Sequence, residues 1–310
     1  MGTDRSRVVG TVLGLLAALG TAGASGGIQA QQIQDVSDRV GVIEGLSGPE
    51  AVRYDPDQDV YFVSNFAGDG GARDGNGFIT RADASGTIEQ LQFATGTSDA
   101  PFHAPRGMFI TGDTLWAADI DGVHGFDRRT GAHLTFVDLT EFEPGFLNDV
   151  TQGSDGALYV TDTGRSAVYR ITDGRGESFV QDRALGNPNG ITWDASAQRL
   201  LVVPWAPGPS MTYIAMDGTT TSTGPSSWPG RLDGVEIFAG ETIVASQSDS
   251  TLYRITGDTA RGFVRTPGTG ADIAVDTRRG RVAVPYIGLN RVDIWRIPGG
   301  DQDREQGRDQ

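Results

Sequence analysis

Short apolar runs with polar residues at alternate places recur along this chain, and Asp or Gly punctuates most gaps between them. Alternation with a period of two over such short runs predicts β-strands. The runs also repeat as a unit. An opening residue leads a short strand, and an Asp/Gly turn follows. A second strand reads apolar, aromatic, apolar, small, polar, and a third strand ends in another Asp/Gly turn. The copy opening at Asn148-Asp149-Val150 turns at Ser154-Asp155-Gly156, continues through Leu158-Tyr159-Val160-Thr161-Asp162 and closes with Ala167-Val168-Tyr169-Arg170-Ile171. The other second strands are expected over 60–65, 115–119, 200–204, 243–247 and 282–286. The other third strands are expected over 77–82, 123–127, 212–216, 251–255 and 291–297.

The six copies open at Glu50, Pro105-Arg106, Asn148, Asn189, Asp233 and Asp272, each 14 or 15 residues before the last residue of its second strand. One small sheet cannot bury both of its faces. Six arranged radially bury them against each other and leave a channel on the axis. The predicted fold is therefore all-β, a six-bladed β-propeller with a central channel, over residues 31–298, with 40–43 joining the last blade to close the ring. No Gly-His…Trp-Asp signature of the WD40 type is present. The fourth strand of each copy carries no comparable mark.

Composition narrows the chemistry. Cysteine is absent, which excludes disulfides, thiolate metal sites and cysteine nucleophiles. The formal net charge is −15 and every basic residue is arginine, so a phosphate backbone is repelled and no nucleic-acid partner is expected. At the N-terminus Arg5 and Arg7 precede an apolar stretch from Val8 to Leu19 and then small residues, the pattern of a cleavable signal peptide over 1–30. Cleavage fits after Ala24 or after Ala30. The stretch is short for a membrane span, so no stable membrane insertion is expected, and the absence of cysteine excludes a lipoprotein anchor. The mature chain is expected to be secreted or periplasmic and monomeric. Residues 299–310 are charged, lack apolar side chains and read as a disordered tail.

In a propeller the opening residues of different blades meet at the channel mouth, although they lie about 40 residues apart in sequence. Here those places hold Glu50, Asn148, Asn189, Asp233 and Asp272, with Arg106 beside Pro105 in the second copy. Taken singly, Asn-Asp, Asn-Gly and Asp-Gly make turns. As a set they put carboxylates together in a buried place, which is costly unless a cation compensates. Carboxylate and amide oxygens suit Ca²⁺ first, with Mg²⁺ or Mn²⁺ as alternatives; Zn²⁺ is less suited because no opening residue is a histidine. His103 lies just before Arg106 and reads as a rim loop residue, while His124 and His133 read as strand and turn residues without a role. The glycine-rich stretch 68–77 fits no phosphate-binding or EF-hand spacing and reads as a long loop in the first blade. No Gly-x-Ser-x-Gly elbow is present, which argues against a serine hydrolase.

Through Gly48-Pro49-Glu50, Leu147-Asn148-Asp149, Pro188-Asn189-Gly190-Ile191 and Leu232-Asp233-Gly234 the sequence resembles the gluconolactonase, regucalcin (senescence marker protein) and luciferin-regenerating-enzyme-like family over nearly the whole mature chain. The resemblance implies a six-bladed propeller with one divalent metal in the channel. It implies that Glu50, Asn189 and Asp233 are metal ligands, that Asn148 lies beside the metal and contacts substrate or a bound water, and that Asp233 doubles as the base. Sugar-lactone members often place an arginine two residues before the asparagine of the third blade, where this chain has Phe146.

The expected function is that of an exported, divalent-metal-dependent hydrolase of lactones or similar esters acting on a small molecule. The metal polarises the carbonyl, Asp233 takes a proton from water, and Arg106 or Asn148 orients the ester. The competing expectation is a non-catalytic propeller that binds a small ligand or peptide at its metal-containing channel or rim, favoured by Phe146. A strictosidine-synthase-like condensation would need a catalytic Glu in a late blade, and Glu236 and Glu241 are poorly placed for it.

Overall fold

The computed structural model describes residues 29–35, 38–208, 210–226, 228 and 230–299, which form six β-sheets. Blade one contains Pro49–Asp55, Val60–Asn65, Phe78–Asp83 and Ile88–Thr95. Blade two contains Met108–Thr111, Thr114–Ala118, Gly122–Asp127 and His133–Asp138. Blade three contains Leu147–Gln152, Leu158–Asp162, Ala167–Thr172 and Arg175–Gln181. Blade four contains Pro188–Asp194, Arg199–Pro204, Met211–Ile214 and Thr220–Thr223. Blade five contains Leu232–Phe238, Glu241–Ser246, Thr251–Thr256 and Thr259–Arg265. Blade six contains Ala274–Asp276, Arg281–Tyr286 and Arg291–Arg296. In each blade the strands are antiparallel and follow chain order, and the innermost strands of successive blades neighbour one another round the ring. The expected six-bladed propeller is the observed fold.

Closure comes from the N-terminal side, as the sequence leads one to expect. Gly41–Glu44 lies antiparallel to Arg291–Arg296, with Ile43 opposite Val292, and supplies the fourth strand of blade six. The last blade is thus built from both ends of the propeller, which ties the ring shut. A further strand, Gln29–Gln34, runs parallel to Thr259–Arg265 on the outer edge of blade five. Its first two residues fall inside the stretch read as a leader. The remainder of that stretch, and the tail beyond Gly299, lie outside the described residues.

Six clusters of buried apolar side chains correspond to the six junctions between blades. Val60 and Phe62 pack toward blade two with Met108, Leu115 and Phe126, while Tyr61 and Val63 pack toward blade six with Ile43, Ala283 and Val292. Successive side chains of a strand point to opposite faces, so a second strand must be apolar on both. This explains why Val60–Asn65 is buried throughout and why second strands carry the strongest signal in the sequence. Most fourth strands are largely exposed, as in Thr220–Thr223, and need no such pattern; Thr259–Arg265 of blade five, with Ala260, Phe263 and Val264 buried, is the exception. Asp55 and Arg128 join blades one and two, the single nitrogen Nη1 of Arg128 donating to both carboxylate oxygens of Asp55 at 2.8 and 2.9 Å.

Ile43 is fully buried in the junction that closes the ring. Ile43→Ala is expected to lower the unfolding free energy by about 2–5 kcal/mol, measured by denaturant titration, because it leaves a cavity where the two ends of the propeller meet.

Candidate functional site

Glu50, Asn148, Asn189 and Asp233 are each the second residue of the innermost strand of their blade. In all four strands the pairing register slips between the first residue and the fourth: Pro49/Val52, Leu147/Val150, Pro188/Ile191 and Leu232/Val235. A bulge of this kind bends the strand and re-aims a side chain. Backbone groups at the bulges bond to the next blade instead. Asp272 N donates to Glu50 O at 3.0 Å, Gly107 N to Asn148 O at 2.9 Å, and Val52 N to Asp272 O at 3.2 Å. The Asn-Gly and Asp-Gly pairs that make turns elsewhere do not do so here. A Cβ on Gly190 would lie 2.3 Å from Asp233 O, and one on Gly234 would lie 2.2 Å from Ile273 N. These glycines let neighbouring inner strands approach, and the residue before each faces the axis.

The site residues are buried: Glu50 is 5% exposed, Asn148 4%, Asn189 1%, Asp233 4%, Asp272 1% and Arg106 2%. Glu50 Oε2, Asn148 Oδ1, Asn189 Oδ1, Asp233 Oδ1 and Asp272 Oδ2 have no hydrogen-bond partner among the described residues. The amide orientations are fixed by their surroundings. Thr163 Oγ1 donates to Pro188 O at 2.8 Å, so toward Asn148 it can only accept, and it does so from Nδ2 at 3.2 Å. Asn189 Nδ2 donates to Leu232 O at 3.0 Å. Both amides therefore keep their N–H groups for the protein and leave a carbonyl oxygen free. Asp233 Oδ2 accepts from Gln247 Nε2, leaving Oδ1 free.

Further groups in the channel were not marked by the repeat. Arg53 and Glu236 lie three residues beyond Glu50 and Asp233, and their ion pair links blades one and five. Asp149 follows Asn148 and accepts from Val150 N at 2.7 Å and from Ile191 N at 2.8 Å. Glu50, Asp149, Asp233, Glu236 and Asp272 thus share a buried space in which, among the described residues, Arg53 and Arg106 are the counter-charges. Burial first, and then repulsion from Asp233, pushes the Glu50 carboxyl well above the usual carboxylate range despite Arg106. Burial first, and then Asp149, does the same for Asp272. Asp233 is pushed up to about 7 by burial and by Asp149. Burial also brings Asp149 to about 7, against the pull of Arg53 and its two backbone donors.

Arg106, two residues ahead of Met108–Thr111, donates from Nη2 to Gly70 O at 2.5 Å, while its Nε and Nη1 have no partner among the described residues. Its guanidinium carbon lies 3.9 Å from the ring centroid of Phe146, which is 42% exposed, and 5.5 Å from that of Phe66. The loop over 68–77 therefore reaches the channel rim through Gly70. His103 is at the rim too, its Nδ1 accepting from Gly75 N at 3.0 Å. Blade two also brings together Asp119, Asp121 and His124, a group of ligand-type side chains to which the sequence pattern assigned no role. A recess of 770 Å³ on the outer edge of blade five, lined by residues such as Glu241, Arg254 and Phe263, is remote from these groups. Shape alone does not locate the chemistry.

The free oxygens of Glu50, Asn148, Asn189, Asp233 and Asp272 are hard donors without nitrogen or sulfur, a set that fits Ca²⁺ or Mg²⁺ and does not favour Zn²⁺. Fold and site together define a six-bladed β-propeller with an acid-rich polar channel. No protein-family model and no curated protein sequence matches the chain. Among solved structures, a gluconolactonase from Xanthomonas campestris is similar over 84% of this chain and 92% of its own, with a TM-score of 0.63 at 18% identity. Regucalcin from Agrobacterium tumefaciens, described as a calcium-binding protein, is similar over 79% of this chain and 85% of its own, with a TM-score of 0.58 at 19% identity. Virginiamycin B lyase from Staphylococcus aureus is similar over 83% and 98%, with a TM-score of 0.59 at 15% identity. The chain thus shares the fold of gluconolactonase and regucalcin structures, and that fold also carries a lyase.

In protein stripped of cations, the raised carboxyls make stability depend on pH. Between the unfolded value near 4 and the folded value of about 7 for Asp149 and Asp233, the folded state holds more protons than the unfolded one. Stability is therefore lost as pH rises through that window. The melting temperature of the chelated protein is expected to fall between about pH 5 and about pH 8, and added Ca²⁺ to restore most of the loss at the upper end. A flat profile in calorimetry would show that these carboxyls ionise without penalty.

Proposed function

We propose that this chain is a divalent-metal-dependent hydrolase of lactones or similar esters, with Ca²⁺ held by Glu50, Asn148, Asn189 and Asp233. The observation that carries the reading is a set of five buried oxygens on five blades without hydrogen-bond partners among the described residues, with an N–H of each asparagine amide committed to the protein. Such a set is costly to bury unless a cation compensates it. The cation supplies polarisation of the ester carbonyl.

The chain's own residues do the rest. Asp233, with one oxygen committed to Gln247, takes a proton from the attacking water at the other. The water oxygen bonds to the carbonyl carbon, the bond to the ring or leaving oxygen breaks, and the proton passes to that oxygen. Coordination lowers the basicity of Asp233 but keeps it ionised at neutral pH. Arg106, with two nitrogens free, orients the ester oxygen and then holds the carboxylate product. Asn148 contributes its free amide oxygen to the same end of the channel. Phe146 gives the mouth an exposed apolar wall, which favours an ester with a hydrocarbon portion over a fully hydroxylated sugar.

The decisive experiment measures metal content and turnover of a lactone and ester panel on one purified sample, before and after chelation. One divalent ion per chain, with hydrolysis lost on chelation and regained with Ca²⁺, is the expected result. Asp233→Ala should reduce turnover by at least about 10³-fold and weaken metal binding. A metal-loaded chain inactive on the whole panel would favour the non-catalytic, ligand-binding propeller, and an active Asp233→Ala variant would remove the base assignment.

Export completes the proposal. Cleavage after Ala24 keeps the strand Gln29–Gln34 whole, whereas cleavage after Ala30 removes two residues that pair with blade five. N-terminal sequencing of the exported protein is expected to begin at Ser25.

A further inference from the structure

Asp119, Asp121 and His124 come from one hairpin of blade two, between Thr114–Ala118 and Gly122–Asp127 and within the second of these strands. One ligand atom of each lies within 4.8 Å of the others. His124 is fully buried and its Nε2 has no hydrogen-bond partner among the described residues; the same is true of Asp121 Oδ1. These two atoms are the observation that needs a cause.

The repeat provides an internal control. Asp119 accepts from the backbone N–H groups of His103 and Ala104, both at 2.7 Å. Asp162 of blade three does the same work, accepting from Gly145 N at 2.9 Å and from Phe146 N at 2.8 Å. A carboxylate at this place is therefore part of the blade's own construction. In blade three, however, the residues that match Asp121 and His124 in spacing are Gly164 and Ala167. Blade two has added a carboxylate and an imidazole beside an oxygen already in position.

The geometry suits an ion. His124 Nε2 lies 3.5 Å from Asp119 Oδ2, beyond an ordinary N–H···O bond. Ligands about 2.1 Å from a tetrahedral centre stand about 3.4 Å apart. His124 Nδ1 is 3.0 Å from His133 Nε2, and when it donates there the lone pair of His124 Nε2 is turned toward the two carboxylates. Two lone pairs of like polarity would repel unless a cation stood between them. Arg73 holds the other oxygen of Asp121 at 2.6 Å, which orients the carboxylate.

We propose that this hairpin is a second metal site, separate from the channel, taking one first-row transition ion, Zn²⁺, through His124 Nε2, Asp119 and Asp121, with water completing the coordination. One nitrogen and two oxygens select differently from the oxygen-only channel. Because Asp119 anchors residues 103 and 104, and Arg73 belongs to the loop over 68–77, the ion would brace the two segments that flank Arg106.

The test uses the mature chain, stripped of metal and then saturated with Ca²⁺ so that the channel does not compete. Titration with Zn²⁺ followed by calorimetry should show one further site per chain and a higher melting temperature, and Co²⁺ in its place should give visible absorption bands from nitrogen and oxygen coordination. Asp121→Ala, at a partly solvated turn, and His124→Gln should each weaken Zn²⁺ binding at least tenfold, while Glu50→Gln leaves it unchanged. Comparing folded Asp121→Ala with the parent keeps the test open if the buried His124 variant fails to fold. The proposal is overturned by no Zn²⁺ uptake in the Ca²⁺-loaded chain, by uptake unchanged in Asp121→Ala, or by uptake that disappears in Glu50→Gln. In the first case His124 simply donates a long hydrogen bond to Asp119.

Discussion

The structure turns on how the inner edges of the sheets meet. A sheet edge presents unpaired N–H and C=O groups, and where the inner edges are buried those groups must find partners. The four bulged strands meet this demand alike. Each gives up its own ladder for two residues; Glu50 O and Asn148 O accept from backbone N–H groups of the neighbouring blade, Gly234 N donates to Ala271 O and Asn189 O accepts from Thr161 Oγ1, while Ala51 N and Asp149 N turn to hydroxyls of their own second strands. The polar lining of the channel is thus tied to how the ring is assembled. Glycine at 190 and 234 belongs to the same solution, since any side chain there would hold the inner strands apart.

That linkage explains which parts were legible in the sequence. Second strands are buried on both faces, so runs such as Val60-Tyr61-Phe62-Val63 stand out, and counting back from their ends reaches the residue at each bulge. The spacing therefore carries Glu50, Asn148, Asn189 and Asp233 to the same position of four innermost strands without any knowledge of their contacts. The exposed fourth strands have no such constraint and left no trace. Neither did the strand Gln29–Gln34, which pairs parallel on an outer edge and needs only backbone. Arg53 and Glu236 were also invisible as a pair. They lie 183 residues apart, and nothing in the local pattern indicates that they meet. Asp121 and His124 escaped for the opposite reason, because they are additions to one blade and a repeat reveals only what copies share.

Charge in the channel follows from position in space and not from position in the repeat. Where the resembling sugar lactonases often carry an arginine, this chain has Phe146, and the guanidinium of Arg106 from the preceding blade lies against that ring at 3.9 Å. The guanidinium remains within electrostatic reach of Glu50, yet the two do not close into an ion pair, and Glu50 Oε2 and Arg106 Nε and Nη1 all keep free valences. A buried acid and a buried base that decline each other leave a polarised gap, receptive to a cation on one side and an anion on the other. On the proposed reading, an ester that becomes a carboxylate as it is cleaved matches that polarity better after reaction than before. On that reading the carbonyl end of the substrate would enter the channel while its hydrocarbon portion stays against Phe146 at the mouth.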